Sequence, residues 1–214
     1  MNQKAAIFSS LVVTAIVVSI NSCIDQKISS RPQAATSTIQ SQNVFNENVG
    51  ALISKSTGNR WIGNFAASKT RLAISEYYIP SSSLSKILEN KSCVGICLYY
   101  AQDAAGSLHV IPIGVDRTGK TIAQEVVSVR NAELNWKTAV QWITNYSGGI
   151  KAHFFGNKTY FRLLNDQHAS TIRISFASND TKAPQMLLSN AAVSNPDSYE
   201  DESFLCPPVC PTFQ

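Results

Sequence analysis

Arg60-Trp61-Ile62-Gly63-Asn64-Phe65 and Gln141-Trp142-Ile143-Thr144-Asn145-Tyr146 are two versions of one pattern, Trp-Ile-x-Asn-aromatic, set 81 positions apart. At the same offset Ile53-Ser54 falls opposite Leu134-Asn135. Ser54 and Asn135 are good helix N-caps, and the apolar residue before each suits a hydrophobic staple. In the second version Trp136, Ala139, Val140 and Ile143 stand at i, i+3, i+4 and i+7, one face of a helix. Gly58 weakens the first version.

Further along, the correspondence continues at an offset of 76. Tyr78-Ile79-Pro80 matches Phe154-Phe155-Gly156, a short extended piece. Leu84, Ile87 and Leu88 match Tyr160, Leu163 and Leu164 at helical spacing, with Ser81 and Asn157 as candidate N-caps. Ile96, Leu98 and Tyr100 match Ile172, Ile174 and Phe176, alternating as a half-buried strand does. Val110-Ile111-Pro112 and Met186-Leu187-Leu188 supply a second strand, with hairpin loops at Asp103 to Ser107 and Asn179 to Ala183. Asp116-Arg117-Thr118-Gly119 reads as a turn, Thr121 to Val129 as an added strand, and Pro112 as the mark of an edge or bulge. Identities are few, so the match rests on pattern.

The fold class that follows is α+β. A helix-helix-strand-strand unit is used twice, over 53–115 and 134–191, and its four strands form one mainly antiparallel sheet with helices on one face. Composition agrees with a packed domain. The chain has 214 residues, 44% of them hydrophobic and 15% charged, with 18 Lys and Arg against 14 Asp and Glu. Disorder needs fewer apolar residues and more net charge. Ten Gly, eight Pro and five Cys are too few for a collagen-like chain or a small disulfide scaffold.

Met1-Asn2-Gln3-Lys4 carries one positive charge, and Ala5 to Ile20 carries none. That apolar run reaches about 24 Å as a helix, short of a bilayer core of about 30 Å. It reads as a signal-peptide core. It ends in Ile20-Asn21-Ser22-Cys23, which resembles the lipobox of bacterial lipoproteins, departing from it at Asn21, where a small residue is commoner. The resemblance implies that residues 1–22 are removed and that Cys23 is lipidated. Several fatty acyl chains would anchor the protein stably, as one alone does not. Ile24, in place of Asp, implies the outer membrane by the sorting rule of enteric bacteria. Residues 23–42 then form the lipidated Cys and a Ser, Thr and Gln-rich tether, ahead of a single domain over 43–214 with a tail at 195–214. The mature chain keeps 17 basic against 14 acidic residues, a net +3 with no basic run, which gives no argument for nucleic acid.

Four further cysteines form two C-x3-C pairs, Cys93 with Cys97 and Cys206 with Cys210. An exported protein can form disulfides. On a strand Cys93 and Cys97 would stand about 13 Å apart, past the roughly 7 Å reach of a bridge, and share one face by parity. Pro207-Pro208 favours an extended path of about 12 Å from Cys206 to Cys210. The expectation is therefore cross-pairing, in either alignment, that staples the tail to the first unit. A four-thiolate zinc site and free thiols are the alternatives.

Cys93-Val94-Gly95-Ile96-Cys97-Leu98-Tyr99-Tyr100, then Gly114-Val115-Asp116 and the ending Cys206-Pro207-Pro208-Val209-Cys210, resemble a group of uncharacterised bacterial lipoproteins. Its members share the Gly-Ile-x-x-Tyr-Tyr strand and the Cys-Pro-Pro-x-Cys end. An Arg is usual there where Cys97 stands, which implies that Cys97 is an extra thiol. The resemblance implies no activity.

Catalytic signals are sparse. His109, His153 and His168 form no H-E-x-x-H or i, i+4 pair, and His109 and His153 sit among apolar residues. There is no Gly-x-Ser-x-Gly elbow and no phosphate loop. Asp197, Glu200, Asp201 and Glu202 read as a solvated acidic stretch, without the spacing of a calcium loop. Trp61, Trp136 and Trp142 could make a sugar-stacking platform, but their helical positions favour packing. The sequence thus points to a lipid-anchored cell-envelope protein, a binding or accessory module rather than an enzyme, with no cofactor. Its partners would be the membrane and either an envelope protein or a small ligand. An envelope hydrolase built from dispersed residues is the alternative.

Overall fold

A computed structural model of the chain describes residues 44–68, 74–130 and 132–213. The signal segment, Cys23 and the tether lie outside the described residues. The elements are β1 (Ala51–Ser54), α1 (Lys55–Ala67), β2 (Glu76–Pro80), α2 (Ser81–Leu88), β3 (Cys93–Gln102), β4 (Leu108–Asp116) and β5 (Val126–Val129). They are followed by β6 (Ala132–Asn135), α3 (Trp136–Asn145), β7 (Ala152–Gly156), α4 (Asn157–Phe161), β8 (Thr171–Ser178), β9 (Pro184–Asn190), β10 (Ser198–Asp201) and β11 (Phe204–Cys206). A π-helical turn, Arg162–Asp166, continues α4.

The fold is mixed α and β, and every pairing between these strands is antiparallel. The strands make a five-stranded sheet in the order β1-β10-β9-β8-β2, a four-stranded sheet in the order β11-β7-β3-β4, and a ribbon of β5 and β6. The single four-stranded sheet expected from sequence is not formed. The β3–β4 hairpin takes β7 as its neighbour, and the β8–β9 hairpin takes β2. The short extended pieces read from sequence at 78–80 and 154–156 are the ends of these bridging strands, each of which starts two residues earlier. Five residues hold too few side chains to give a clear alternation, and the pairing partner is far away in sequence.

Helices are divided between sheet faces, not gathered on one. Strand β3 splits its side chains: Ile96, Leu98 and Tyr100 join a cluster with Leu84 and Ile87 of α2, Tyr160 of α4, and Ile174 and Phe176 of β8. Cys97, Tyr99 and Ala101 face the other way, onto Ala139 and Ile143 of α3. Buried on both faces, β3 reads as an almost continuous apolar run. On the five-stranded sheet, Ala177, Leu187 and Tyr199 pack against Trp61 and Ile62 of α1. Trp61, Trp136 and Trp142 are all half-buried against these clusters. Pro112 lies on β4, the last strand of its sheet, where its missing N–H costs no ladder bond.

Two helix starts follow the sequence. Ser54 Oγ accepts from the Thr57 N–H at 3.2 Å, and Asn135 Oδ1 accepts from the Thr138 N–H at 2.9 Å. The other two do not. Ser81 and Asn157 are the first helical residues, preceded by Pro80 and Gly156. Their side chains reach outside the helix: Ser81 donates to the Ala169 carbonyl, and Asn157 Nδ2 donates to the Cys93 carbonyl at 2.7 Å.

Cross-pairing of the cysteines is overturned. Cys206 and Cys210 are bonded to each other, with Cα atoms 4.7 Å apart, because the chain turns over Pro207 to Val209 where an extended path was expected. Cys93 and Cys97 are free and buried. Nor do they share a face: the register shifts between Cys93 and Gly95, and this bulge puts Cys93 with the α2 side and Cys97 with the α3 side. Gly95 permits the close approach there, since a Cβ would lie 2.3 Å from the Phe155 carbonyl oxygen. The tail is held without a staple. β11 pairs with β7, Thr121 N donates to the Thr212 carbonyl at 2.9 Å, and Thr212 N donates to the Gly119 carbonyl at 2.8 Å.

The acidic run is also corrected. Glu200 and Asp201 are 1% and 2% exposed. Arg162 grips Glu200 with two nitrogens, Nε at 2.7 Å and a terminal nitrogen at 2.5 Å. Sequence pattern missed this because β10 is four residues long and Tyr199 is its one apolar side chain, too little for an apolar period to mark a buried strand.

Candidate ligand-binding cleft

Helix α1 stops at Ala67. Ser68 turns extended, and both its N–H (3.1 Å) and its hydroxyl (2.8 Å) donate to the Phe65 carbonyl. Helix α3 stops in the same manner, the Tyr146 N–H donating to the Ile143 carbonyl at 3.2 Å. One residue before each terminal aromatic, an asparagine ties the helix to the end of a hairpin strand. Asn64 Nδ2 donates to the Ser178 carbonyl, and Asn145 Nδ2 to the Gln102 carbonyl, both at 3.2 Å.

These ties set four rings in a row. Phe65 lies 6.1 Å from Phe176, Phe176 5.8 Å from Tyr100, and Tyr100 5.1 Å from Tyr146, the last two contacts being stacked. Such pairs contribute on the order of 0.5–1.5 kcal/mol each beyond their buried area. Lys151 locks the far end, donating to the Tyr146 carbonyl at 2.5 Å with its ammonium 5.5 Å from the Tyr146 ring centre. Gly148 leaves room for the ring, since a Cβ would fall 2.2 Å from the Tyr146 hydroxyl oxygen and force the ring to shift.

A cleft of about 750 Å³ opens over this row. That lies within the usual range for small-molecule sites. Phe65, Tyr100, Tyr146 and Ile150 give it an apolar wall, and Arg60, Asn64, Asn179, Asp180 and Lys182 a polar rim. Arg60 and Asp180 form a two-pronged pair at 2.9 and 2.8 Å. Both side chains are more than half exposed, so the pair adds little stability, but it fixes the guanidinium plane. The Arg60 hydrogen bonds hold the Asp180 carboxyl below its usual range. The β8–β9 turn is organised by Asn179, whose Oδ1 accepts from the Thr181 and Ala183 N–H groups at 3.0 and 2.9 Å. The β3–β4 turn is built in the same way on Asp103, which accepts from Ala105 and Ser107 at 2.9 and 2.8 Å.

None of the three histidines lines the cleft. His153 lies behind Tyr100, fully buried, with Nδ1 2.8 Å from the Ser203 hydroxyl and Nε2 3.5 Å from the Tyr100 hydroxyl. Burial pushes its pKa down to about 3, so it is neutral and weakly basic at pH 7. His109 lies 3.0 Å from Asp103 and 4.8 Å from the Trp142 ring. The His109 hydrogen bond is the largest cause holding the Asp103 carboxyl low. His168 is exposed, with φ 49°. Burial raises the Cys93 and Cys97 thiols, which disfavours thiolate chemistry. Among the described residues no group of three or more His, Cys, Asp or Glu side chains is placed to hold a metal ion. No described helix is long and apolar enough to cross a membrane.

Comparison with protein-family models finds no match, and comparisons with curated proteins and with solved structures find no significant match either. The cleft residues themselves were only partly visible in sequence. Asn64, Phe65 and Tyr146 belong to the two Trp-Ile-x-Asn-aromatic segments, whereas Arg60, Asp180 and Lys182 carry no pattern that marks them.

Proposed function

We propose that the chain is a lipid-anchored protein of the bacterial cell envelope that binds a small molecule in the cleft, and that the cleft forms where two copies of a duplicated unit meet. The cleft, with its row of rings and polar rim, is the observation that carries this reading. Duplication is supported by the element order: β1-α1-β2-α2-β3-β4-β5 recurs as β6-α3-β7-α4-β8-β9-β10. It is supported further by the paired ties of Asn64 and Asn145 and by the like turns at Asp103 and Asn179. Each large sheet would then combine strands of both copies, and the Phe176–Tyr100 contact would join equivalent positions. Anchoring rests on the lipobox-like Ile20-Asn21-Ser22-Cys23, with Ile24 favouring the outer membrane.

The hydrolase alternative has one observation in its favour, the 2.8 Å contact between Ser203 and His153. A base held at a pKa of about 3 is poorly matched to removing a serine proton at neutral pH. The binding reading is tested by ligand-detected NMR with a fragment library, comparing wild type with Gly149→Trp. Gly149 lines the cleft, and nothing lies within 4 Å of where its Cβ would be, so a side chain starts there in open space; circular dichroism of the variant checks that it is folded. Fragments that bind wild type and are lost from the folded variant support the reading. Fragments that bind both equally, or none at all, overturn it.

A further inference from the structure

Lys182 occupies a costly place. It sits in the β8–β9 turn at φ 66°, in the left-handed region that favours glycine, and its N–H donates to the Asn179 carbonyl at 2.9 Å. In the β3–β4 turn, which has the same hydrogen-bond plan, the corresponding residue is Gly106 at φ 82°, donating to the Asp103 carbonyl at 3.1 Å. A lysine therefore stands where the sister turn uses the residue suited to that backbone. Backbone strain of this kind persists where the surrounding structure holds it in place, and it clusters at binding sites.

Lys182 lines the cleft and is exposed. The other cation of the rim, Arg60, already has its carboxylate, Asp180. Lys182 takes part in none of the ion pairs among the described residues. The lining residues therefore carry two cations and one carboxylate, a net +1 beside an aromatic wall. A ligand that completes this arrangement brings one negative charge to Lys182 and a ring to Phe65, Tyr100 and Tyr146. A second negative charge would face Asp180.

We infer that the cleft selects a ring-bearing monoanion, a cyclic or aromatic carboxylate, with Lys182 as the residue that recognises the charge. This rests on the cleft being a binding site. The test uses two fluorescent probes that share one aglycone and one sugar ring but differ in a carboxylate: 4-methylumbelliferyl β-D-glucuronide and 4-methylumbelliferyl β-D-glucoside. The wild-type protein should bind the glucuronide about fivefold more tightly, the scale of one exposed ion pair. The preference should shrink in 0.5 M salt, as screening requires. Lys182→Gln should lower glucuronide affinity to that of the glucoside and leave the glucoside unchanged. Lys182→Arg should retain the preference, which guards against a merely structural effect. Equal affinities for the two probes in wild type, or a preference untouched by Lys182→Gln, would overturn the inference while leaving the cleft a binding site. If neither probe binds, the charge inference falls. The cleft reading then stands or falls separately, with the fragment comparison at Gly149.

Discussion

Asp201 should make the protein less stable as pH rises from 4 to 6. It ends β10 opposite Ala51, is 2% exposed, and leaves Oδ1 without a hydrogen bond. Burial is the largest influence on its carboxyl and pushes the pKa up to about 6; the Glu202 N–H pulls it down and the Glu202 charge adds to the rise. An unfolded Asp titrates near 3.9. Below about pH 4 the carboxyl is protonated in both states and there is no penalty. Between about 4 and 6 the unfolded chain ionises first, the folded state holds more protons, and stability falls as pH rises. Above about 6 the loss is constant. Two units at about 1.4 kcal/mol each make it on the order of 2–3 kcal/mol. Asp201→Asn removes the ionisation. Urea unfolding of wild type and variant at several pH values between 4 and 8 measures the difference. The variant should gain 2–3 kcal/mol on wild type between pH 4 and 7.5, whatever constant offset the amide introduces. A difference that stays flat over that range would refute the account of a buried, unpaired carboxyl.

Arg162→Met leaves the Glu200 carboxylate buried and alone, so chemical denaturation should show a loss of about 3–4 kcal/mol. Adding Glu200→Leu should recover most of it, and a double variant as unstable as the single one would contradict the ion-pair reading. Lys182→Gly should raise thermal stability by about 0.5–1 kcal/mol, the relief of left-handed strain less the added freedom of the unfolded chain; calorimetry reads the shift, and destabilisation would count against strain at that turn. Peptide mapping without reduction should place Cys206 and Cys210 in one internally bridged peptide. Cys93 and Cys97 should alkylate only after denaturation, and a peptide linking either to the tail would reinstate the staple. Intact mass of the membrane-extracted protein should show a lipidated N-terminus at Cys23, against which an unmodified chain starting at Ile24 would count.

Much of the fold could be read from local pattern. The Ser54 and Asn135 caps, the helix spacing of Trp136 to Ile143, the long strands around Leu98 and Ile174 and the turns at Asp103 and Asn179 all depend on neighbours in sequence. What was not legible is non-local. Tyr77 and Ile79 look the same whether β2 is a linker or the edge of the β8 sheet. The bulge between Cys93 and Gly95 breaks the parity that would put both thiols on one side. Buried carboxylates were missed because Glu200 is acceptable inside only through Arg162, thirty-eight positions earlier. The cleft follows the same rule. Its aromatic ends lie in the two repeated segments, but its charges come from a helix flank and a hairpin tip that only tertiary structure brings together.

Amide chemical-shift mapping locates the bound ligand, as the strongest fragment from the NMR comparison is titrated into isotopically labelled protein. With a binding cleft over the ring row, shifts concentrate at Phe65, Tyr100, Tyr146 and the turn from Ser178 to Lys182. Shifts centred on another surface, such as the shallow groove between Trp136 and Phe213, would contradict it.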